Sequence, residues 1–363
     1  MRNLSLLCIM FLLFFLSCKK QSTVTDQPPA PAAMYFPPVS GTEWQTTSPA
    51  SLGWNETELN NLYTYLQQKG TKAFIILKNG KIVTERYFGT FTADSNWYWA
   101  SAGKTITAML TGIAQQEGLL NISNKSSQYL GAGWTSLPLA KENLITVRHQ
   151  LTMTTGLDDA VTPDNDCTTP ACLVYKADAG TRWAYHNAPY TLLDKVVENA
   201  SGTTYNNYFQ QKIRDKIGMN GVWLKTGYNN VFYSNARSMA RFGLLMLNKG
   251  KWGQTSIIND TAYLNAQVNT SQNLNLSYGY LTWLNGKASH MLPSLQLVFT
   301  GMLVPNAPAD MYSALGKNDQ KVYVVPSQNI VVIRMGESAG NVQLAVSGFD
   351  NELWGKLKLV IGY

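Results

Sequence analysis

A chain of 363 residues, 45% apolar and 14% charged, has an ordinary globular composition and is long enough for one large domain or two smaller ones. Its net charge of +7 is scattered along the chain, which argues against a nucleic-acid-binding surface. Outside the N-terminus there is no apolar run of about eighteen residues, so a multi-pass membrane protein is excluded.

In chain order, Arg2 followed by apolar Leu4 to Leu16 reads as an export signal, too short for a membrane span. Ser17-Cys18 followed by Lys19-Lys20 resembles a bacterial lipoprotein box. That resemblance implies a signal peptide over 1–17, acylation of Cys18, and a protein exported and held to the membrane of the cell envelope. Residues 18–40 carry Pro28, Pro29, Pro31, Pro37 and Pro38 among polar residues and read as a tether, with the folded domain over 41–363. Two β-rich stretches, 73–77 and 81–86, flank Asn79-Gly80, a hairpin signal. Ile106, Met109, Leu110 and Ile113 mark a helix by their spacing; Leu192, Leu193, Val196 and Val197 mark a second, and Met239, Phe242, Leu245 and Met246 a third. Another hairpin spans 321–335, and Phe349, Leu353, Leu357 and Val360 give a last helix. The expected fold class is α/β of the α+β kind. An antiparallel sheet built from both termini is flanked by helices and carries an all-helical insertion over roughly 105–265, with the active site at the junction.

Cys167 and Cys172 sit in a loop-like run, and an oxidising compartment favours a local disulfide between them. None of the histidines (His149, His186 and His290) has metal-ligand spacing to these cysteines, so no metal or cofactor is expected.

The chemistry concentrates at Ser101-Ala102-Gly103-Lys104, at the start of the first of these helices. Side chains three apart on a helix share a face. A lysine can take a serine proton if burial and the positive helix end keep it neutral. The Ser101 N–H at the helix start can face an oxyanion, and Trp97 to Ala100 would exclude water. The pattern alone is weak, since Ser17-Cys18-Lys19-Lys20 repeats it in the export signal. The bland alternative makes Ser101 a helix N-cap and Lys104 a solvated side chain. A rival nucleophile, Ser338 in Gly336-Glu337-Ser338-Ala339-Gly340, lacks the later histidine that an α/β-hydrolase elbow needs and reads as a turn.

The stretch from Trp99 to Leu120 resembles the nucleophile helix of class C β-lactamase-like hydrolases, within the penicillin-recognising serine β-lactamase superfamily. Ile145 to Leu157 resembles the family's segment leading to the active site. Gly180-Thr181-Arg182-Trp183-Ala184-Tyr185-His186-Asn187 resembles its Tyr-x-Asn motif, and Asn235 to Gly243 its later helix. Ala314-Leu315-Gly316-Lys317-Asn318-Asp319-Gln320 is similar to the third motif of 6-aminohexanoate-dimer hydrolase-like members, with Asn318 and Asp319 in place of glycines. The literal Lys225-Thr226-Gly227 falls too soon after Tyr185 and reads as a chance loop.

The resemblance covers roughly 50–340 and implies a serine hydrolase of small amides, esters or peptides. It makes Ser101 the nucleophile, Lys104 the base, and Tyr185 the sharer of that proton, with phenolate character from the neighbouring ammonium. Asn187 would hold Lys104 and the substrate carbonyl, and His186 would line the pocket. The oxyanion would meet the Lys317 segment, with an N–H from Asp319 or Gln320. The side chains at Asn318 and Asp319 would crowd the strand edge, which disfavours β-lactam turnover. A D-Ala-D-Ala carboxypeptidase, a β-lactamase or a non-catalytic recognition protein are the alternatives. His149 is expected to be structural.

Overall fold

The computed structural model describes residues 33–161, 164–342 and 344–363. The export signal, Cys18 and most of the predicted tether lie outside the described residues. The folded unit begins at Met34, earlier than the expected boundary at 41. Tyr35 and Phe36 explain the difference, because they are apolar anchors inside the proline-rich stretch. The Tyr35 N–H donates to the Asn79 carbonyl at 2.9 Å, and Phe36 sets its ring edge on Trp252 at 5.2 Å.

The first hairpin consists of β1 (Thr71–Lys78) and β2 (Lys81–Tyr87), turned at Asn79 and Gly80 with φ of 50° and 79°. A two-residue type I′ turn demands positive φ at both positions. A Cβ at Gly80 would also stand 1.8 Å from the Tyr35 carbonyl oxygen. Apart from two minor two-residue pairs, the later strands are β3 (Trp97–Tyr98), β4 (Val222–Thr226), β5 (Asn229–Ser234), β6 (Trp283–Leu284), β7 (Tyr312–Gly316), β8 (Gln320–Val325) and β9 (Ile330–Gly336). The main sheet is antiparallel in the order β2-β1-β9-β8-β7-β6. Its seam between β1 and β9, with Phe74 opposite Arg334, joins the two ends of the domain as expected.

The helices that matter are α1 (Glu56–Gln68), α2 (Lys104–Gln116), α3 (Asn187–Thr191), α4 (Leu193–Ser201), α5 (Ala236–Leu247) and α6 (Gly348–Ile361). Every residue of β8 and β9 is buried, because helices cover both faces. On one face, Tyr323 donates to Asp350 of α6 at 2.6 Å. On the other, α5 comes so close that a Cβ at Gly243 would stand 2.5 Å from Val331.

The all-helical insertion is corrected in two respects. It contains β4 and β5, which join β3 in a small sheet ordered β3-β5-β4. Trp223 and Phe232 are the buried aromatics of this hairpin and lie directly opposite each other, while much of the rest of it is exposed. The period-two signal was short and bounded by Gly221 and Gly227, so helical spacing on either side masked it. One helix of the insertion, α5, packs on the main sheet. Residues 104–114 of α2 are all buried, which makes α2 the central element between sheet and insertion.

Candidate active site

The turn before α2 is held from three sides. Trp99 is buried, its backbone N–H donates to Phe232 at 2.8 Å, and its indole N–H donates to Ser234 at 2.8 Å. Ala100 has φ of 46°, a conformation costly for a residue with a Cβ, and it turns the chain into the 3₁₀ segment Ala100–Gly103. The third side is β7. A Cβ at Gly316 would stand 2.3 Å from the Trp99 carbonyl oxygen and 3.2 Å from the Ser101 nitrogen. Strand and turn therefore meet at van der Waals contact only because residue 316 has no side chain.

Ser101 makes no capping bond to the helix, so the bland reading of it as an N-cap does not hold. Its hydroxyl instead accepts from Lys104 Nζ at 3.2 Å. Lys104 is only 4% exposed, and its ammonium position lies over the ring of Tyr190 at 3.8 Å and that of Tyr185 at 5.3 Å. Burial pulls its pKa down from 10.5 to about 7, with Asp166 and Asp194 pushing weakly the other way. The spacing of three thus delivers the pair, and the core around α2 strips water from the amine.

Tyr185 stacks on Trp283 with ring centroids 5.6 Å apart and stands beside the Ser101 hydroxyl. Burial raises its pKa, and the Ser101 contact lowers it by less. The phenol is thus held neutral, which corrects the expected phenolate character: burial of the phenol outweighs any neighbouring charge. Asn187, at the start of α3, donates its amide N–H to Asp166 at 2.8 Å. Its Oδ1 is buried, with no partner among the described residues. The expected hydrogen bond from Asn187 to Lys104 is not formed.

His186 is also corrected. It is buried under the acidic loop that precedes Cys167 and does not line the cavity at Ser101. Burial lowers its pKa to about 4, with Asp159 the largest opposing influence. His149 is structural as expected, closing a capping box with Thr146.

The third motif resolves into separate parts. Asn318 and Asp319 have φ of 59° and 58°, the left-handed region that their family's glycines would favour. Asn and Asp are the side-chain-bearing residues that best tolerate it. Neither crowds the strand edge: Asn318 donates to the Tyr98 hydroxyl at 2.9 Å, and Asp319 accepts from Ser347 at 2.6 Å and the Ala339 N–H at 2.9 Å. Burial works to raise the Asp319 pKa, but Lys321 and these donors outweigh it. The Gln320 amide braces Gly336, donating to its carbonyl at 2.6 Å and accepting from its N–H at 3.1 Å. Of this segment, exposed Lys317 lines the cavity at Ser101, and Gly316 is the residue whose backbone abuts the serine.

Several cavity residues lie outside the site expected from the motifs. Thr226, Asn229 and Asn230 of the β4–β5 hairpin line the space of about 240 Å³ next to Ser101, as does Asp166. The reading of Lys225-Thr226-Gly227 as a chance loop is therefore corrected: Lys225 and Thr226 end a strand, and Thr226 faces the cavity. Asp166 joins two walls, accepting from Asn187 at 2.8 Å and from Asn229 at 2.7 Å. The Cys167–Cys172 disulfide, with Cα atoms 5.8 Å apart, staples the chain immediately after it. Behind the cavity, buried Asp194 accepts from Asn230 at 2.7 Å. Burial pushes its pKa up to about 7, against the Asn230 hydrogen bond. Ser338 donates its hydroxyl to Gly340 within a turn, as expected of a bystander.

Comparison with known proteins agrees with this architecture. Residues 64–352 match the Beta-lactamase family model. An uncharacterized protein of Alkalihalophilus pseudofirmus is 23% identical over 309 residues, covering 75% of this chain and 85% of its own. A Bacillus anthracis protein provisionally named a 6-aminohexanoate-dimer hydrolase superposes with a TM-score of 0.66 at 17% identity, over 88% of this chain and 86% of its own. A penicillin-binding protein homologue from Caulobacter crescentus does so with a TM-score of 0.64 at 13% identity, over 89% and 99%. These structural likenesses establish the fold, and the family match supports a function of the serine-hydrolase type. With most of its length matched, this chain belongs to the beta-lactamase family.

Proposed function

We propose that this protein is a serine hydrolase that cleaves an amide or ester bond through an acyl-enzyme on Ser101. The observation that carries this reading is the Lys104 amine, 3.2 Å from the Ser101 hydroxyl and stripped of solvent so that it is largely uncharged just above neutrality. A neutral amine can accept the serine proton as Oγ attacks the carbonyl carbon. The developing oxyanion faces the Ser101 N–H and the backbone beside Gly316. Tyr185, kept as a neutral phenol, hands its proton to the leaving nitrogen or oxygen and regains one from the Lys104 ammonium. Water then attacks the acyl carbonyl, Lys104 takes its proton, and Ser101 leaves with a proton restored.

The test is covalent labelling of protein lacking residues 1–18 with a fluorophosphonate, followed by peptide mapping. Label is expected on Ser101, with p-nitrophenyl ester turnover abolished in Ser101→Ala and kept in Ser338→Ala. Turnover that survives Ser101→Ala, with no label at Ser101, would reject the assignment. The left-handed Asn318-Asp319 turn keeps the third motif's backbone course, which favours catalysis over mere recognition.

Export and anchoring through Cys18 form part of the same proposal, supported by the short apolar run before Ser17-Cys18. Cells fed an alkyne fatty acid should label the full-length protein and not Cys18→Ser. Equal labelling of both would remove the anchor from the reading.

A further inference from the structure

Taking the Ser101 proton creates a charge. The Oγ–H bond breaks, an N–H bond forms on Lys104 Nζ, and the amine becomes an ammonium as Oγ attacks the carbonyl carbon. Lys104 is only 4% exposed, so bulk water does not solvate that charge. Among the described residues, neither nearby acid pairs with it. Asp166 is bonded by Asn187 and Asn229, and Asp194 by Asn230, with Lys225 at 3.9 Å; both reach Lys104 only as weak attractions. The other lysine of the cavity, Lys317, would repel it.

What lies against Nζ is an aromatic face. Lys104 Nζ stands 3.8 Å from the centroid of the Tyr190 ring, well inside the ~6 Å over which a ring attracts a cation. Tyr190 is buried in α3, on the turn that begins at Asn187, and lines the cavity beside Ser101. Its hydroxyl stands beside Thr107, one turn along α2 from Lys104, so the ring is held at both ends. Burial keeps the phenol protonated, so the ring offers a π face and not a phenolate. The Tyr185 ring is the more distant one, at 5.3 Å.

Resting on the hydrolase reading above, we propose that Tyr190 is a further catalytic residue, whose ring face receives the positive charge that Lys104 acquires when it takes the serine proton. A carboxylate in the same place would hold Lys104 protonated in the resting protein and remove the base. A ring attracts the ammonium less strongly, so the amine stays free to act and its charged form is still met when it forms. The ring is in place beforehand, so nothing has to reorganise as the charge develops.

The test grades the charge of the face while nearly keeping the shape of the ring. Tyr190→Phe retains the face, and its kcat/KM for a p-nitrophenyl ester is expected within about threefold of wild type. A much larger loss would give the role to the hydroxyl and overturn the face. Mono-, di- and trifluorophenylalanine at the same position of the full-length protein then withdraw electrons from the ring stepwise. The high-pH plateau of kcat/KM should fall in even logarithmic steps, by about tenfold over the series, the range of one desolvated cation–π contact. The acidic limb of the pH profile should move to lower pH at each step. Lys104 loses the stabiliser of its charged form, while Asp166, Asp194, Tyr185 and Lys317 around it are unchanged. A merely structural tyrosine would give neither the even steps nor the moving limb. Plateaus that ignore fluorination, with turnover still dependent on Ser101, overturn the role of Tyr190 and leave the hydrolase standing. If no ester is turned over and Ser101 takes no label, the hydrolase reading fails. NMR titration of the Lys104 amine across the same series in Ser101→Ala then still decides the contact: a midpoint that drops with each fluorine supports it, and a constant midpoint removes it.

Discussion

Replacing Lys104 by methionine is expected to slow acylation of Ser101 about a thousandfold, the usual worth of a positioned general base. Methionine fills the same slot on α2 without the amine, so the packing of this buried helix is kept. The effect should be in acylation, read as the rate of fluorophosphonate labelling or of p-nitrophenyl ester turnover. The wild-type pH profile checks the same assignment independently. Lys104 is active as the free amine, so kcat/KM should climb about tenfold per pH unit below about 7 and level off above it. A profile flat through this region would deprive Lys104 of the role. The stability consequence has a definite sign. Between about 7 and 10.5 the unfolded chain holds a proton that the folded protein lacks, so this residue's contribution to stability rises with pH across that window. At and below 7 the fold carries a buried ammonium and the full cost is present. Lys104→Met removes that cost, and the variant should melt at or above the wild type at pH 6 while being nearly inactive.

Gly316→Ala is the second large effect. Glycine at 316 has φ of −128°, which alanine adopts freely, so backbone strain plays no part. What matters is the neighbour. The new methyl would lie 2.3 Å from the Trp99 carbonyl oxygen, 3.0 Å from the Ala102 nitrogen and 3.2 Å from the Ser101 nitrogen. All three are backbone atoms of the nucleophile turn, and no side chain can swing aside. Either β7 or the turn must move by the better part of an ångström. Overpacking of this kind costs about 1–3 kcal/mol of stability. A shift of that size at the attacking atom costs about a hundredfold in rate. Thermal melting and ester turnover measure the two effects separately. Wild-type values for both would mean that β7 does not press on the serine.

The elements best read from the sequence are those whose cause is local. Asn79-Gly80 demands a tight hairpin whatever surrounds it, and both residues take the positive φ that the turn requires. The apolar spacing of Met239, Phe242, Leu245 and Met246 is that of a helix, and α5 has it. The β4–β5 hairpin was illegible because two buried aromatics, Trp223 and Phe232, are too short a signal between helical stretches. The resemblance of the third motif implies an oxyanion N–H from Asp319 or Gln320, and it says nothing of where their side chains go. The left-handed step at Asn318 and Asp319 turns the Asp319 and Gln320 side chains toward the sheet, where they bond Ala339 and Gly336.

By itself the sequence determined the Ser101–Lys104 pair, since a spacing of three on a helix brings two side chains to one face without help from elsewhere. It also determined the first and last hairpins of the main sheet, the core-facing stripes and the family. Only the tertiary structure decided that Lys104 is dry enough to be a base, because burial depends on what packs over α2 from distant segments. The same holds for the wall of Asp166, Asn187, Asn229 and Asn230. Those residues come from a stapled loop, a short helix and a hairpin, and no periodicity links them. Their hydrogen bonds form only when the chain has closed around the serine.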